Sequence, residues 1–234
     1  MTLSADAGET LGIVGPNGSG KSTFLNAINR LVPSTGRIKV NSVETEDMPF
    51  RSSGVRFGRT FQTPQIHPDL TCLENVALGS PNRFGTGLLG AWAGFGSARK
   101  AERKRLQLAE EYLELAKVPP AVFHQLSGEQ PLSVARGIEM ARALAREPHI
   151  ILLDEPAAGL NDDETAELAE VIRNIRSESR CTIVIEHKID FIDHVSDKVV
   201  VFESGQVAAM GPPGEIWTDP RVIEAYLGVA HAED

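Results

Sequence analysis

The sequence has little of what marks disulfide-stapled or membrane-spanning proteins. Only two of its 234 residues are cysteines, Cys72 and Cys181, and no metal-ligand spacing joins them. We expect both thiols to be buried in a reduced compartment. The longest charge-free apolar segment, residues 84–98, has 15 residues and five glycines. A membrane span needs roughly 20 apolar residues, so this segment is not predicted to be one.

An excess of positive charge is also missing. The chain has 23 basic and 32 acidic residues, which gives a net charge of −9 at pH 7. Nucleic-acid binding depends on basic residues that neutralise phosphates, so we expect no nucleic-acid partner. The basic run at residues 98–106 is interpreted as a solvated helix face. The N-terminus lacks the pattern of a signal peptide, a basic stretch followed by an apolar run.

Apolar, β-branched segments alternate with helical patterns, which predicts an α/β protein with a largely parallel sheet. The predicted strands are residues 10–14, 37–40, 150–153, 182–185 and 199–202. Residues 67–145 are different, because their apolar residues recur at the spacings of helices. We therefore predict an α/β core formed by residues 1–66 and 146–234, with a helical subdomain inserted at residues 67–145.

Three features predict helices inside the inserted segment. Thr71 and Glu74 have the spacing of a capping box, which opens a short helix. Two further helices are predicted by apolar residues spaced three or four apart. The residues are Leu106, Ala109, Leu113 and Ala116 for the first, and Val134, Ile138, Ala141 and Ala145 for the second.

Residues 15–23 read GPNGSGKST and match the phosphate-loop pattern GxxxxGK[ST]. A strand pattern precedes them and a helical pattern follows, which is the context that the pattern requires. The predicted phosphate-binding residues are Gly15, Pro16, Asn17, Gly18, Ser19, Gly20, Lys21, Ser22 and Thr23. Lys21 is expected to contact the β- and γ-phosphates, and Ser22 to bind Mg²⁺. The alternative is a glycine-rich turn that only caps a helix.

The segment IILLDEP, residues 150–156, ends an apolar strand in two carboxylates. Ligands of α/β proteins bind at the carboxyl edge of the sheet, so these carboxylates are expected to face a ligand. Asp154 is predicted to hold Mg²⁺, and Glu155 to orient the attacking water. The alternative is an acidic strand end that caps the next helix.

Taken together, these segments resemble the ATP-binding subunits of ABC transporters. The resemblance implies a P-loop NTPase (RecA-like) core with an inserted helical subdomain. GRTFQ resembles the Q-loop, AAGLN at residues 157–161 the D-loop, and VIEHK the switch-histidine segment. It implies catalytic roles for Glu155, His187 and Gln62, Mg²⁺ ligands in Ser22, Gln62 and Asp154, and ATP with Mg²⁺ as cofactors.

Three longer phrases resemble the ATPases of branched-chain amino acid importers. They are FQTPQIHPDLTCLENVALG, LLDEPAAGLN and GPPGEIWTDPRVIEAYLG. This resemblance implies ATP-driven uptake of branched-chain amino acids or related polar solutes. The implied partners are a second ATPase subunit, identical or different, two membrane permeases, and indirectly a solute-binding protein outside the cell. The implied location is peripheral, on the cytoplasmic face of the cell membrane.

The signature segment, which contacts the nucleotide of the opposite subunit in this family, has two candidates. Residues 126–130 read LSGEQ and would use Ser127 and Gly128. The family's spacing to Asp154 instead points to residues 130–134, QPLSV. We favour LSGEQ, and substitution of Ser127 and of Ser133 separately distinguishes the two.

The start of the chain departs from the family pattern. Members carry an upstream strand and an aromatic residue that stacks on adenine, whereas nothing aromatic precedes Phe24 here. The possibilities are weaker ATP binding, an adenine platform from another segment, or a chain that lacks its natural N-terminus. Within residues 84–98, Trp92 and Phe95 are expected either to contact a permease or to pack into the helical subdomain.

Other functions remain as alternatives. A soluble ABC-type ATPase of DNA repair would need long coiled coils or zinc-type cysteine clusters, which the sequence lacks. A translation factor of this type usually joins two such domains. Glu155 argues against a regulatory module without turnover, and a P-loop kinase does not explain Gln62 or His187.

Overall fold

A computed structural model describes residues 2–40, 43–44, 55–80 and 95–223. Its main feature is a six-stranded sheet with the order β4-β5-β6-β1-β7-β8. The strands are β1 (Thr10–Val14), β4 (Phe57–Arg59), β5 (Ile150–Asp154), β6 (Cys181–Ile185), β7 (Lys198–Glu203) and β8 (Gln206–Gly211). All neighbours are parallel except β7 and β8. The short strands β2 (Lys39–Val40) and β3 (Val43–Glu44) form a separate antiparallel pair.

The central strands are apolar on both faces because helices cover both. All five residues of β1 are buried, as are the last four of β5 and of β6. One face packs Ile13, Leu152 and Val200 with Leu25 of helix α1 (Lys21–Ile28). The other face packs against α5 (Asp162–Asn174) and α6 (Ile189–Val195). The sheet is therefore the middle layer of a three-layer core.

A separate apolar cluster lies among α2 (Cys72–Ala77), α3 (Phe95–Leu115) and α4 (Leu132–Leu144). Its members include Cys72, Leu73, Val76, Ala109, Leu113, Ile138 and Ala141. Helix α4 also places Met140 and Leu144 in the apolar cluster against the sheet. It therefore contributes to both apolar clusters, the one against the sheet and the one among the helices. The predicted division of the chain at residues 67 and 145 stays a prediction.

The five predicted strands are confirmed, although the second has only the two residues Lys39–Val40. The sequence analysis missed β3 and β4, which have two and three residues, and β8, an edge strand. The capping box is confirmed: the Glu74 amide donates to Thr71 Oγ1 at 3.1 Å, and the Thr71 amide donates to Glu74 Oε2 at 2.9 Å. Trp92 and the Phe95 side chain lie outside the described residues. None of the described helices combines the length and hydropathy of a membrane span.

Candidate active site

The sheet brings the predicted site residues to one edge. Strands β4, β5, β6 and β1 are neighbours and parallel, so their carboxyl ends lie side by side. The segment with Gln62 follows β4, Glu155 follows β5, His187 follows β6, and residues 15–23 follow β1. This edge is where open α/β sheets bind their ligands.

The loop at residues 15–23 owes its shape to glycine. A side chain at Gly15 would place its Cβ 2.3 Å from the carbonyl oxygen of Phe202. Gly20 caps helix α1 with φ of 100° and no side-chain hydrogen bond, so no side chain satisfies the first amides of this helix there. Ser22 and Thr23 are exposed in its first turn. Free amides at a helix N-terminus favour an anion such as phosphate.

Lys21 is held inside this loop. Its Nζ donates to the carbonyl oxygens of Gly15 at 2.7 Å and Pro16 at 3.0 Å. Burial lowers the pKa of Lys21, while the charges of Glu155 and Asp154 act in the opposite direction. The hydroxyl of Ser19 is buried without a hydrogen-bond partner in the described structure. A buried free hydroxyl beside an ammonium and helix amides fits a phosphate chain.

Glu155 receives contacts from both other predicted catalytic residues. Gln62 Nε2 donates to its Oε2 at 2.8 Å, and His187 Nε2 lies 2.9 Å from its Oε1. The Glu155 backbone is left-handed, with φ of 48°, and its amide donates to Ile185 O at 2.9 Å. Such a conformation is strained for a residue with a side chain and persists where its surroundings enforce it. The structure therefore gathers Glu155, Gln62 and His187.

Asp154 has a partner that the sequence analysis missed. Its Oδ2 lies 3.1 Å from Nη2 of Arg59, and the two side chains are only 12% and 8% exposed. Arg59 Nη1 also donates to Asn26 Oδ1 at 2.7 Å, and the guanidinium lies 4.8 Å from the centroid of the Phe61 ring. The only sequence signal was the arginine of GRTFQ, three residues before Gln62.

The donor set of this edge fits Mg²⁺. The described residues hold no cluster of three or more His, Cys, Asp or Glu side chains suited to a metal. Mg²⁺ is usually bound by one or two protein ligands together with substrate phosphates. The exposed hydroxyl of Ser22 and the carboxylate of Asp154 are ligands of the required type.

Glu186 is a second residue that the sequence analysis missed. It is 3% exposed and contacts the segments that follow β5 and β6. Its Oε1 accepts a hydrogen bond from the Ala157 amide at 2.7 Å, and its Oε2 accepts one from the His187 amide at 2.9 Å. A carboxylate at the end of the buried strand β6, directly before His187, was the available signal.

The structure departs from the expectation for Ser127. This side chain is 1% exposed, its hydroxyl donates to His67 O at 2.8 Å, and Asn75 Nδ2 donates to it at 3.0 Å. A Cβ on Gly128 would lie 2.7 Å from Pro68. The Ser127 hydroxyl is thus used inside the helical cluster. By contrast, α4 begins at Leu132 after Pro131, with no side-chain cap, so the geometry favours residues 130–134.

A parallel sheet whose edge combines a glycine-rich phosphate loop with Asp154 and Glu155 defines a P-loop ATPase. The family model for ABC transporters matches residues 1–158. The model for branched-chain amino acid ATP-binding cassette transporters matches residues 206–232. The chain belongs to the ABC transporter family, as one of its ATP-binding proteins.

Individual relatives agree with this assignment. The branched-chain amino acid transport ATP-binding protein BraF of Pseudomonas aeruginosa is 32% identical, over 98% of this chain and 91% of its own length. LivG of Escherichia coli strain K12, with the same description, is 35% identical over 95% and 88%.

Solved structures agree as well. A nucleotide-free ABC transporter cassette has a TM-score of 0.79 at 28% identity, over 96% of this chain and 90% of its own. A dimeric post-hydrolysis cassette bound to ADP and Pi has a TM-score of 0.73 at 27% identity, over 90% and 88%. The predicted fold class and ATPase class are confirmed.

Proposed function

We propose that this chain is the ATP-hydrolysing subunit of an importer for branched-chain amino acids or related polar solutes. The match at residues 206–232 and the names of BraF and LivG support this solute class. Overall identity is less selective, since a glutamine transport ATP-binding protein of Geobacillus stearothermophilus is 31% identical over 97% of this chain and 89% of its own length. The C-terminal match is therefore the stronger argument for the solute.

The observation that carries the hydrolytic function is Glu155 held between Gln62 and His187. Phosphoryl transfer depends mainly on positioning and on neutralisation of charge. Glu155 orients a water on the γ-phosphate, and the two flanking side chains fix its carboxylate. The oxygen of this water forms a bond to the γ-phosphorus while the bond from the γ-phosphorus to the bridging oxygen breaks. The bridging oxygen leaves with ADP, and the protons of the water leave with the phosphate. His187, whose side chain is 42% exposed, contacts the γ-phosphate from the same side.

Lys21 and the loop at residues 15–23 bind the phosphate chain. The ammonium turns from the carbonyl oxygens of Gly15 and Pro16 to the β- and γ-phosphates, which are stronger acceptors because they are charged. Ser22, Asp154 and Gln62 would hold Mg²⁺, which supplies charge neutralisation when bound. Since Arg59 is already paired with Asp154, its guanidinium fixes the orientation of this carboxylate.

The second ATPase subunit and the permeases are assigned to different surfaces. Residues 130–134 at the start of α4 face the nucleotide of a second copy or a related subunit, since Ser127 is buried. A cavity of about 670 Å³ lies beside the Gln62 segment, lined by Phe61, Leu78 and the arginines Arg56, Arg59, Arg142 and Arg146. Arg59 and Arg56 are paired with Asp154 and Glu147, so the positive charge of Arg142 and Arg146 is what favours an acidic segment of the permease there. The complex lies on the cytoplasmic face of the membrane, with a solute-binding protein outside.

Reconstitution tests this function. The full chain is purified with the permeases encoded by neighbouring reading frames, placed in proteoliposomes, and supplied with the binding protein. We expect uptake of leucine, isoleucine or valine that requires internal ATP and Mg²⁺ and is lost in Glu155→Gln. Uptake of glutamine alone contradicts the solute class. Absence of ATP hydrolysis, or purification with ribosomes or DNA instead of permeases, contradicts the transport function.

A further inference from the structure

Three charged side chains on one face of α4 reach a single loop. They are Arg136, Glu139 and Arg142, which we call the α4 triad, and the loop is residues 61–65, the Gln62 loop. The spacing of three residues places them on the same side of the helix. All three bond to the main chain of the loop rather than to its side chains.

Glu139 lies at the centre of this arrangement and is 1% exposed. Its Oε2 accepts a hydrogen bond from the Phe61 amide at 3.3 Å, and its Oε1 accepts one from the Gln65 amide at 2.9 Å. One carboxylate oxygen is thus used on each side of Gln62. Burial raises the pKa of Glu139, while the two amides and the charges of Arg142 and Arg136 oppose this effect.

The two arginines complete the contact from either side. Arg136 Nη2 donates to the carbonyl oxygen of Gln62 at 3.1 Å, and Arg142 Nη2 donates to that of Gln65. The triad therefore forms hydrogen bonds with two backbone amides and two carbonyl oxygens of this five-residue loop. With its main chain held in this way, Gln62 reaches Glu155 across the edge of the sheet.

Stability alone does not call for a charge at position 139. The side chains of Phe61, Gln62 and Gln65 are exposed, and surface loops generally satisfy their amides with water. A buried charge is costly, and well-packed apolar residues often replace buried ionic groups without loss of stability. What the carboxylate supplies is one defined conformation of the loop.

We propose that Glu139 is a positioning residue of the ATPase reaction. It holds the main chain of the Gln62 loop so that the side-chain amide of Gln62 reaches Glu155. This inference rests on the proposed hydrolytic function. It extends the site from the sheet edge to the buried face of α4. It also explains why a charged residue lies among Ile138, Met140 and Ala141 in a helix packed on two sides.

The test uses Glu139→Gln in the full chain. Glutamine keeps the volume, but its side-chain NH₂ group faces one of the two backbone amides, and two donors cannot form a hydrogen bond. We expect kcat for ATP to fall about 10- to 100-fold, as for misplaced catalytic groups, with the Kd of a fluorescent ATP analogue unchanged within about twofold. Hydrogen exchange should become faster in peptides covering residues 61–65 and stay the same in those covering 150–154. Glu114→Gln, an exposed carboxylate on α3, serves as the matched control and should change neither quantity.

A double-mutant cycle separates positioning from general damage. If Glu139 acts through Gln62, the variant with both Glu139→Gln and Gln62→Ala should hydrolyse ATP no more slowly than Gln62→Ala alone. Multiplied losses, unchanged exchange at residues 61–65, or a normal kcat in Glu139→Gln each overturn the proposal. If Glu139→Gln does not fold, Glu139→Asp replaces it, since the shorter carboxylate cannot span both amides and should give the same pattern. A wild-type chain that hydrolyses no ATP refutes the proposed function instead.

Discussion

The phosphate loop and the Gln62 loop face the same nucleotide site but are built in opposite ways. Residues 15–23 shape themselves, because the conformations of their glycines and the carbonyl contacts of Lys21 lie within the loop. The Gln62 loop is shaped from outside by the α4 triad, whose contacts lie 74 to 78 residues away in sequence. A self-shaped loop keeps its form when its neighbours shift, whereas an externally held loop follows the helix that holds it.

The largest effect is expected at Glu155, which accepts a hydrogen bond from Gln62 and whose charge acts on Lys21 of the phosphate loop. In Glu155→Gln the carboxylate that orients water is lost, and we expect kcat to fall by about 10²–10³-fold, as when one stabilising group is removed from an active site. Nucleotide affinity should stay close to that of the wild type, since Lys21 and the phosphate loop are intact. Steady-state hydrolysis and nucleotide titration measure the two quantities.

The matched control is Glu178→Gln, an exposed carboxylate in the turn before β6, which should hydrolyse ATP normally. Hydrolysis by Glu155→Gln within threefold of the wild-type rate would show that a different group orients the attacking water.

The next effect concerns the Arg59–Asp154 pair, which joins the strand before the Gln62 loop to the carboxylate that we propose as a Mg²⁺ ligand. Arg59→Gln leaves the nearly buried carboxylate of Asp154 without its partner, so we expect the free energy of unfolding to fall by about 3–5 kcal/mol without nucleotide and Mg²⁺. Denaturant unfolding in EDTA measures it, and Mg²⁺ with ATP should recover part of the loss.

Lys39→Gln is the comparison, because its ion pair with Glu44 is exposed at the surface. Exposed pairs contribute little, so Lys39→Gln should change stability far less. Equal losses in the two variants would contradict the importance of burial at Asp154.

A smaller effect is expected where the helical cluster supports Arg142. A Cβ at Gly79 would lie 2.2 Å from the carbonyl oxygen of Arg142, so Gly79→Ala should cost about 1–3 kcal/mol in the free energy of unfolding through overpacking. It should also speed hydrogen exchange in the Gln62 loop and leave residues 15–23 unaffected. Gly211→Ala is the control, because its Cβ would make an ordinary 3.5 Å contact with Ile216. Equal losses of stability in the two variants would show that the contact between Gly79 and Arg142 is not the cause.

The smallest effect is a pH dependence at His149, beside the strand that leads into the Gln62 loop. Its Nδ1 accepts a hydrogen bond from the Arg56 amide at 3.1 Å, and burial, together with the Arg56 charge, lowers the pKa of His149. The unfolded chain therefore binds a proton at His149 more readily than the folded chain does. The contribution of His149 to the free energy of unfolding is thus present near pH 7 and is lost as pH falls below about 6.5. Partial exposure keeps it well under about 1 kcal/mol.

Unfolding curves between pH 5 and pH 7.5 should have a weaker pH dependence in His149→Gln than in the wild type. The phosphate-loop region has no comparable histidine contact among the described residues, so hydrogen exchange there should report only global unfolding. A steeper dependence in the variant would reverse the predicted direction of the pKa shift.

The same contrast explains how much of the site could be predicted from the sequence. Residues 15–23, Asp154 and Glu155 lie in short segments with recognisable spacing, so their position at one edge of the sheet could be predicted; their roles stay predictions. The Arg59–Asp154 pair depends on the register of β4 against β5, and the α4 triad depends on how a helix packs on a loop far away in sequence. Neither leaves a local pattern, whereas Glu186 had a local signal in its position between β6 and His187.

Two departures from the sequence analysis have physical causes as well. LSGEQ matches the signature by letters, but the hydroxyl of Ser127 is used by His67 and Asn75, partners some 50 to 60 residues earlier in the chain. Which of the two segments is the signature stays a prediction. Strand β4 escaped prediction because three residues are too few for an alternation to be recognised. The fold class was predictable because the longer strands are apolar on both faces.

One nitrogen atom has a consequence for motion. Nη2 of Arg136 donates both to the carbonyl oxygen of Gln62 and to that of Ala158, at 3.1 and 2.5 Å. An amino group of guanidinium carries two hydrogens, and both are used by these two segments. If either segment is displaced, it loses its hydrogen bond to Arg136, or the guanidinium moves with it and loses its hydrogen bond to the other segment. The segments that follow β4 and β5 are therefore coupled through this one side chain.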